Sequence, residues 1–145
     1  MSISAQEIIN KLQLQPHPEG GWYREYWRGP DAAGRGTGTA IYYLLQRGQR
    51  SHWHRIDASE LWLYQAGGPL RLMMVKDDTV IERQLGSNIQ AGDVLHTVIE
   101  PWTWQAAVPE ADWTLVSCVV TPAFEFSGFE MAPPEWQPGK GDLLQ

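Results

Sequence analysis

A chain of 145 residues, 43% hydrophobic and 19% charged, has the size and balance of one compact domain spanning residues 1–145, and differs from a disordered, collagenous or coiled-coil chain. A net charge of −6 with only three lysines, Lys11, Lys76 and Lys140, supplies no basic surface for phosphates and disfavours nucleic acid as a partner. No apolar run nears the roughly 20 residues of a membrane span, and the start MSISAQEIINKLQLQ lacks a basic-then-apolar leader, so a cytoplasmic protein away from membranes is expected.

In chain order, Ser4 and Glu7 have capping-box spacing, and Ile8, Ile9 and Leu12 recur at helical intervals, which predicts one amphipathic helix over residues 4–13. Pro16, Pro18, Gly20 and Gly21 end it, and His17–Gly21 reads as a turn rather than a site. Short apolar runs then predict strands at Trp22–Trp27, Thr39–Leu45, His52–His54, Leu61–Gln65, Leu70–Val75, Val80–Leu85, Val94–Ile99, Thr103–Val108 and Trp113–Val120. Gly-, Asp- and Pro-bearing connections separate them, the pattern of an all-β sandwich or barrel. The tail, 133–145, is expected to be irregular and docked by Phe129 and Trp136. The single cysteine, Cys118, cannot form an internal disulfide and sits in a run, WTLVSCVV, that reads as a buried strand.

The residues with the most chemistry are His52, His54 and Glu60. Alternation along a strand sends His52 and His54 to one side, and a turn at 55–59 returns Glu60 beside them. Two imidazoles and a carboxylate suit either a divalent metal or metal-free acid–base work.

Here the chain resembles the cupin superfamily, whose first motif joins a glycine, His-x-His, a glutamate and a glycine. Gly48, His52-Trp-His54, Glu60 and Gly67 stand in that order, with five residues rather than three or four between His54 and Glu60. The second motif is matched by Gly92-Asp93 and Pro101–Ala106, where Thr103 replaces the glycine and Ala106 the histidine. That histidine is a metal ligand in metal-dependent members, and Gln105 stands next to its place. With Pro16–Arg24, Ser51–Arg55, Ser59–Trp62 and Thr121–Phe129 included, the sequence is similar from about residue 4 to 138 to small single-domain cupins often labelled "predicted sugar epimerase". The resemblance implies a jelly-roll barrel, commonly dimeric, with the pocket inside.

The first functional expectation is a polar small molecule, a sugar or sugar nucleotide, undergoing epimerase- or isomerase-type chemistry. His54 or His52 would act as base, Glu60 or Asp57 would orient it, and Tyr64 would be the acid, in competition with Tyr42 and Tyr43. Arg24, Arg55 and Arg71 suit an anionic group or ordinary ion pairs. Trp22, Trp62, Trp104 and Gln105 complete the expected binding residues, at least one tryptophan lining the pocket, and His96 offers a further imidazole. No cofactor is required on this reading. A second expectation is a metal-dependent oxygenase or isomerase with one divalent ion on His52, His54 and Glu60, and a third is a non-catalytic ligand-binding barrel. An exposed aromatic strand, Trp22–Trp27, is expected to cross to a second subunit of a homodimer.

Overall fold

The computed structural model describes residues 3–139. Among the described residues a single α-helix, α1 (Ala5–Leu12), begins at Ser4, whose Oγ accepts the Glu7 N–H at 3.1 Å while Glu7 Oε1 accepts the Ser4 N–H at 3.3 Å. That reciprocal cap satisfies donors the first turn leaves free. Ile8, Ile9 and Leu14 bury against Leu44 on the outer surface of a sheet.

The strands are β1 (Gln15–Pro16), β2 (Trp22–Arg28), β3 (Asp31–Ala32), β4 (Arg35–Gly36), β5 (Thr39–Gln46), β6 (Ser51–Ile56), β7 (Ser59–Gly67), β8 (Leu70–Lys76), β9 (Thr79–Leu85), β10 (His96–Ile99), β11 (Gln105–Pro109), β12 (Trp113–Thr121) and β13 (Phe129–Met131). They form a sheet in the order β1-β2-β5-β12-β7-β10, a second in the order β13-β6-β11-β8-β9, and the hairpin β3-β4. The pairings β5-β12-β7-β10 and β6-β11-β8-β9 interleave early and late strands, as two nested Greek keys do in a jelly roll. The all-β fold with one N-terminal helix is therefore the expected one. Four short strands, β1, β3, β4 and β13, lie outside the predicted set because two or three residues carry no readable alternation. Beyond β13 the tail is irregular to Gly139, with Trp136 packed on Trp53 and Trp104; residues 140–145 of the expected tail lie outside the described residues. Among the described residues no helix is long and apolar enough to cross a membrane.

The space between the sheets is filled at one end and open at the other. Tyr43, Leu45, Trp62, Leu70, Leu72, Leu85, Ile99, Ala107, Val116 and Cys118 form the packed end. Inward residues on the same strands, Thr39 and Ile41 on β5, Glu60 on β7 and Val120 on β12, instead line a cavity. Each strand thus contributes core side chains over part of its length and site side chains over the rest.

Candidate functional site

The cavity has a volume of roughly 660 Å³, within the usual range for a small-molecule site of about 300–1,000 Å³. Its floor is polar. Ile41, Ile56, Val120, Phe124 and Phe129 form an apolar wall, and Gln15, Glu25, Arg28, Glu125, Phe126 and Ser127 make an exposed rim.

His54 is 2% exposed at the centre of the floor. Its Nδ1 lies 2.7 Å from the His52 carbonyl oxygen, an atom that can only accept, so Nδ1 carries a proton and Nε2 is the nitrogen turned to the floor. Nε2 is 3.4 Å from Glu19 Oε2. The ring stacks on Phe129 at a centroid distance of 5.6 Å.

Glu60 reaches the floor from the start of β7 and accepts a hydrogen bond from Gln105 Nε2 at 2.9 Å. Gln105 Oε1 in turn accepts the Trp62 Nε1–H at 2.8 Å, which fixes the amide's orientation. Burial pushes the Glu60 carboxyl up to about 7; Glu19 also raises it, and His54 and Gln105 oppose the rise without cancelling it. Burial likewise pushes the Cys118 thiol well up beside Glu60, leaving it protonated and a poor nucleophile.

Glu19 enters from the segment between β1 and β2. The turn is closed by His17 N–H to Gly21 O at 2.9 Å and Gly20 N–H to His17 O at 3.0 Å. Gly20 has φ 113°, and a Cβ there would lie 2.0 Å from the Arg50 carbonyl oxygen, so only glycine lets the turn press onto β6. Glu19 Oε1 accepts the Ser51 hydroxyl at 2.6 Å, and its N–H donates to His17 Nδ1 at 3.1 Å. That bond requires a bare Nδ1, and burial lowers the His17 pKa, so His17 is neutral and its 3.8 Å approach to Glu19 is no ion pair. Tyr43 closes the floor with its hydroxyl donating to Gly20 O. The turn expected at His17–Gly21 is present and is also part of the site. An acid between a histidine and two glycines, with the glycines needed for close approach, was the signal for it.

The expected set is brought together only in part. His54, Glu60 and Gln105 meet, but His52 does not join them: its Nε2 lies 2.9 Å from Pro133 O, and it is absent from the cavity lining. The cause is a register shift against β11, in which Gln105 faces His54 but Ala107 faces Ser51. One extra residue on β6 makes Ser51 and His54, rather than His52 and His54, share the inner face. Gln105 faces inward, while Ala106 packs outward with Trp53, Trp104 and Trp136, so the inner slot on β11 holds an amide.

Tyr64 has the inward parity expected of it but lies against the packed end, its hydroxyl bonded to Gly67 O. Four residues along a strand place it about 13 Å beyond Glu60. Arg24 borders the cavity, but its guanidinium donates to Leu12 O at 3.3 Å, toward the helix side. Arg55 points outward to Glu130 at 2.9 Å, with Trp104 beneath its guanidinium. Arg71 pairs with Glu110 and Glu82 on the outside. Asp57 is held by Arg35, which lowers its pKa, and His96 is exposed on β10. Tyr42 stacks on Tyr26. None of the eight tryptophans lines the cavity. Trp22 packs with the helix, Trp62 in the filled end and Trp104 on the outer face, so the aromatic wall consists of phenylalanines and tyrosines. With His52 engaged elsewhere, the expected metal set is not assembled, and among the described residues no group of three or more His, Cys, Asp or Glu is arranged to hold a metal ion.

The family profile described as Cupin superfamily (DUF985) matches residues 6–132. The chain belongs to the cupin superfamily. This cupin is 32% identical to protein SO0799 from Shewanella oneidensis, with a TM-score of 0.86 over 90% of this chain and 85% of that one. A hypothetical protein from Leishmania major is 31% identical, with a TM-score of 0.82 over 88% and 86%. The yeast uncharacterized protein YML079W, from Saccharomyces cerevisiae, is 26% identical over 85% of this cupin and 72% of its own length.

Proposed function

We propose that this cupin binds a small polar carbonyl compound of the sugar class and moves a proton at the carbon beside the carbonyl. The observation that carries the reading is an imidazole and a buried carboxyl set together on the cavity floor. His54 turns Nε2 toward the floor with Nδ1 held by a backbone carbonyl, and burial raises the Glu60 carboxyl to about 7. A histidine and a raised carboxyl side by side are suited to base and acid roles.

His54 Nε2 takes the proton from the carbon beside the carbonyl, and the C–H electron pair becomes the new C=C bond. The carbonyl π pair simultaneously takes the Glu60 proton, giving an enediol. Glu60, now a carboxylate, removes the proton of the other enediol hydroxyl as the imidazolium returns its proton to the former carbonyl carbon, giving the isomer. Glu19, 3.4 Å from Nε2, favours the imidazolium electrostatically. Gln105 aims the Glu60 carboxyl, and the apolar wall limits water.

The test is to incubate the protein with neutral and phosphorylated aldoses and ketoses in D₂O and follow deuterium at the carbon beside the carbonyl by NMR. Deuteration is expected, and His54→Ala and Glu60→Gln should each slow it by about 10²–10⁴-fold, the range for loss of one acid–base group. A compound that binds saturably but returns without deuterium, or unchanged exchange in both variants, would overturn the reading in favour of a binding barrel.

A further inference from the structure

We infer that the ligand of this cavity is an uncharged polyhydroxy aldehyde or ketone, and that the site is built against phosphate esters and nucleotide sugars. The inference rests on the proposed acid–base reading for its carbonyl and on the charge pattern of the walls for the rest.

Four carboxyl side chains line the cavity, Glu19, Glu25, Glu60 and Glu125, against two guanidinium groups, Arg24 and Arg28. One guanidinium is turned toward the helix and the other is ion-paired. Arg24 follows Tyr23 on β2 with opposite parity and donates outward to Leu12 O. Arg28 is clamped on Glu25, with Nη2 to Oε1 at 2.9 Å and Nε to Oε2 at 3.3 Å, and also donates to Phe124 O at 3.3 Å. Arg35 spans Asp57 and Glu125, each at 2.9 Å. Among the described residues no lysine lines the cavity. An entering phosphate would therefore meet acidic walls with no guanidinium fork to receive it, and its desolvation would go uncompensated.

Hydroxyl groups meet the opposite situation. Carboxylate oxygens at the floor and rim accept O–H bonds, the Tyr23 hydroxyl and neutral His17 add polar partners, and Ile41, Ile56, Val120, Phe124, Phe126 and Phe129 offer an apolar face for ring C–H groups. A neutral sugar has both kinds of surface, and a dry site lined by hydrogen-bonding groups discriminates strongly against a ligand that leaves them unmatched.

The experiment measures binding of D-fructose, D-mannose, D-fructose 6-phosphate and UDP-glucose by titration calorimetry and saturation-transfer NMR, with wild-type protein and Glu25→Gln. A neutral sugar should bind saturably, and the phosphate ester and the nucleotide sugar should bind at least about tenfold more weakly, a difference of one decade in Kd. Glu25→Gln releases Arg28 from its carboxylate and should narrow that ratio severalfold by strengthening the ester. Equal or tighter binding of either phosphate compound to wild type, no binding of either neutral sugar, or a ratio unmoved by Glu25→Gln would overturn the inference. Deuterium exchange separates the two claims. A neutral sugar that binds without exchange refutes the acid–base reading alone, and exchange of a tightly bound phosphate ester refutes this inference alone.

Discussion

Glu60 couples the chemistry of the site to the stability of the fold. Its carboxyl is raised from an ordinary 4.5 to about 7, so between those values the folded chain keeps a proton that the unfolded chain has released. Stability therefore falls as pH rises across that window, and above about 7 the loss is complete at roughly 3 kcal/mol. Glu60→Gln should remove this slope: thermal melts at pH 5 and 8 should differ less in the variant than in wild type, with the variant relatively more stable at pH 8. A wild-type melt independent of pH between 5 and 8 would contradict it. The same titration gives the proposed reaction a descending limb near pH 7, where the acid loses its proton. Gln105 offers a second handle, because Gln105→Leu strips a donor from Glu60 and leaves the buried Trp62 N–H without its acceptor. A cost of about 1–3 kcal/mol in chemical denaturation is expected, and because Gln105 lowers the Glu60 pKa, its loss should move the descending limb to higher pH. The sequence disclosed His54 and Glu60 because motif and strand parity are local properties, whereas Gln105, next to the motif position at Ala106, faces inward only through the register shift between β6 and β11. It misassigned His52 because parity fails where a strand carries an extra residue, and that depends on the neighbouring strand β11.

Elements decide which of these side chains meet. Strands β5 to β12 were readable because each is a short run rich in apolar residues set off by turn-forming residues, and α1 because its cap and apolar stripe are both local. What alternation does not give is depth: Tyr64 and Glu60 share a face of β7, but only Glu60 lies at the open end. The segment 16–21 was readable as a turn, and its glycines hinted at close approach, but Glu19 acquires its role only when Gly20 sits against Arg50 O. Gly20→Ala should therefore push the turn off β6, breaking the His52 N–H to Glu19 O bond now 3.0 Å long and withdrawing the carboxylate from His54. The strained φ alone costs at least about 1 kcal/mol. Binding of neutral sugars should weaken with the melting temperature, whereas Gly48→Ala, at a positive-φ glycine with open space around it, should lower stability only. Equal loss of binding in both variants would show that the turn acts through general stability rather than through Glu19.

At the scale of the molecule, one sheet boundary is unfinished. β1 covers β2 only at Trp22 and Tyr23, so within the described residues Arg24–Arg28 have β5 on one side and no strand on the other. This stretch also exposes Tyr26 at 43% and Trp27 at 47%. A free edge bearing large aromatics invites pairing with another chain, and a two-fold axis beside β2 would let the same edge of a second copy satisfy it. We propose a homodimer through this edge. The bulge between Glu25 and Trp27 twists the strand locally, so the pairing should be confined to a short stretch and depend on the aromatic side chains as well as on backbone bonds. Light scattering should give a mass twice the 16.4 kDa of one chain, and Trp27→Lys should shift it toward 16.4 kDa with the circular dichroism of the folded protein retained, because a lysine at an edge position opposes strand addition. Wild-type protein that is monomeric at micromolar concentration would reject the assembly. A variant that stays dimeric would move the interface elsewhere, with β10 the next place to look, since it closes the other end of the same sheet and exposes Val98 at 46%. The edge residues Glu25 and Arg28 also belong to the cavity rim, so dimerisation at β2 would hold that rim in place, and Trp27→Lys should weaken sugar binding as the mass falls.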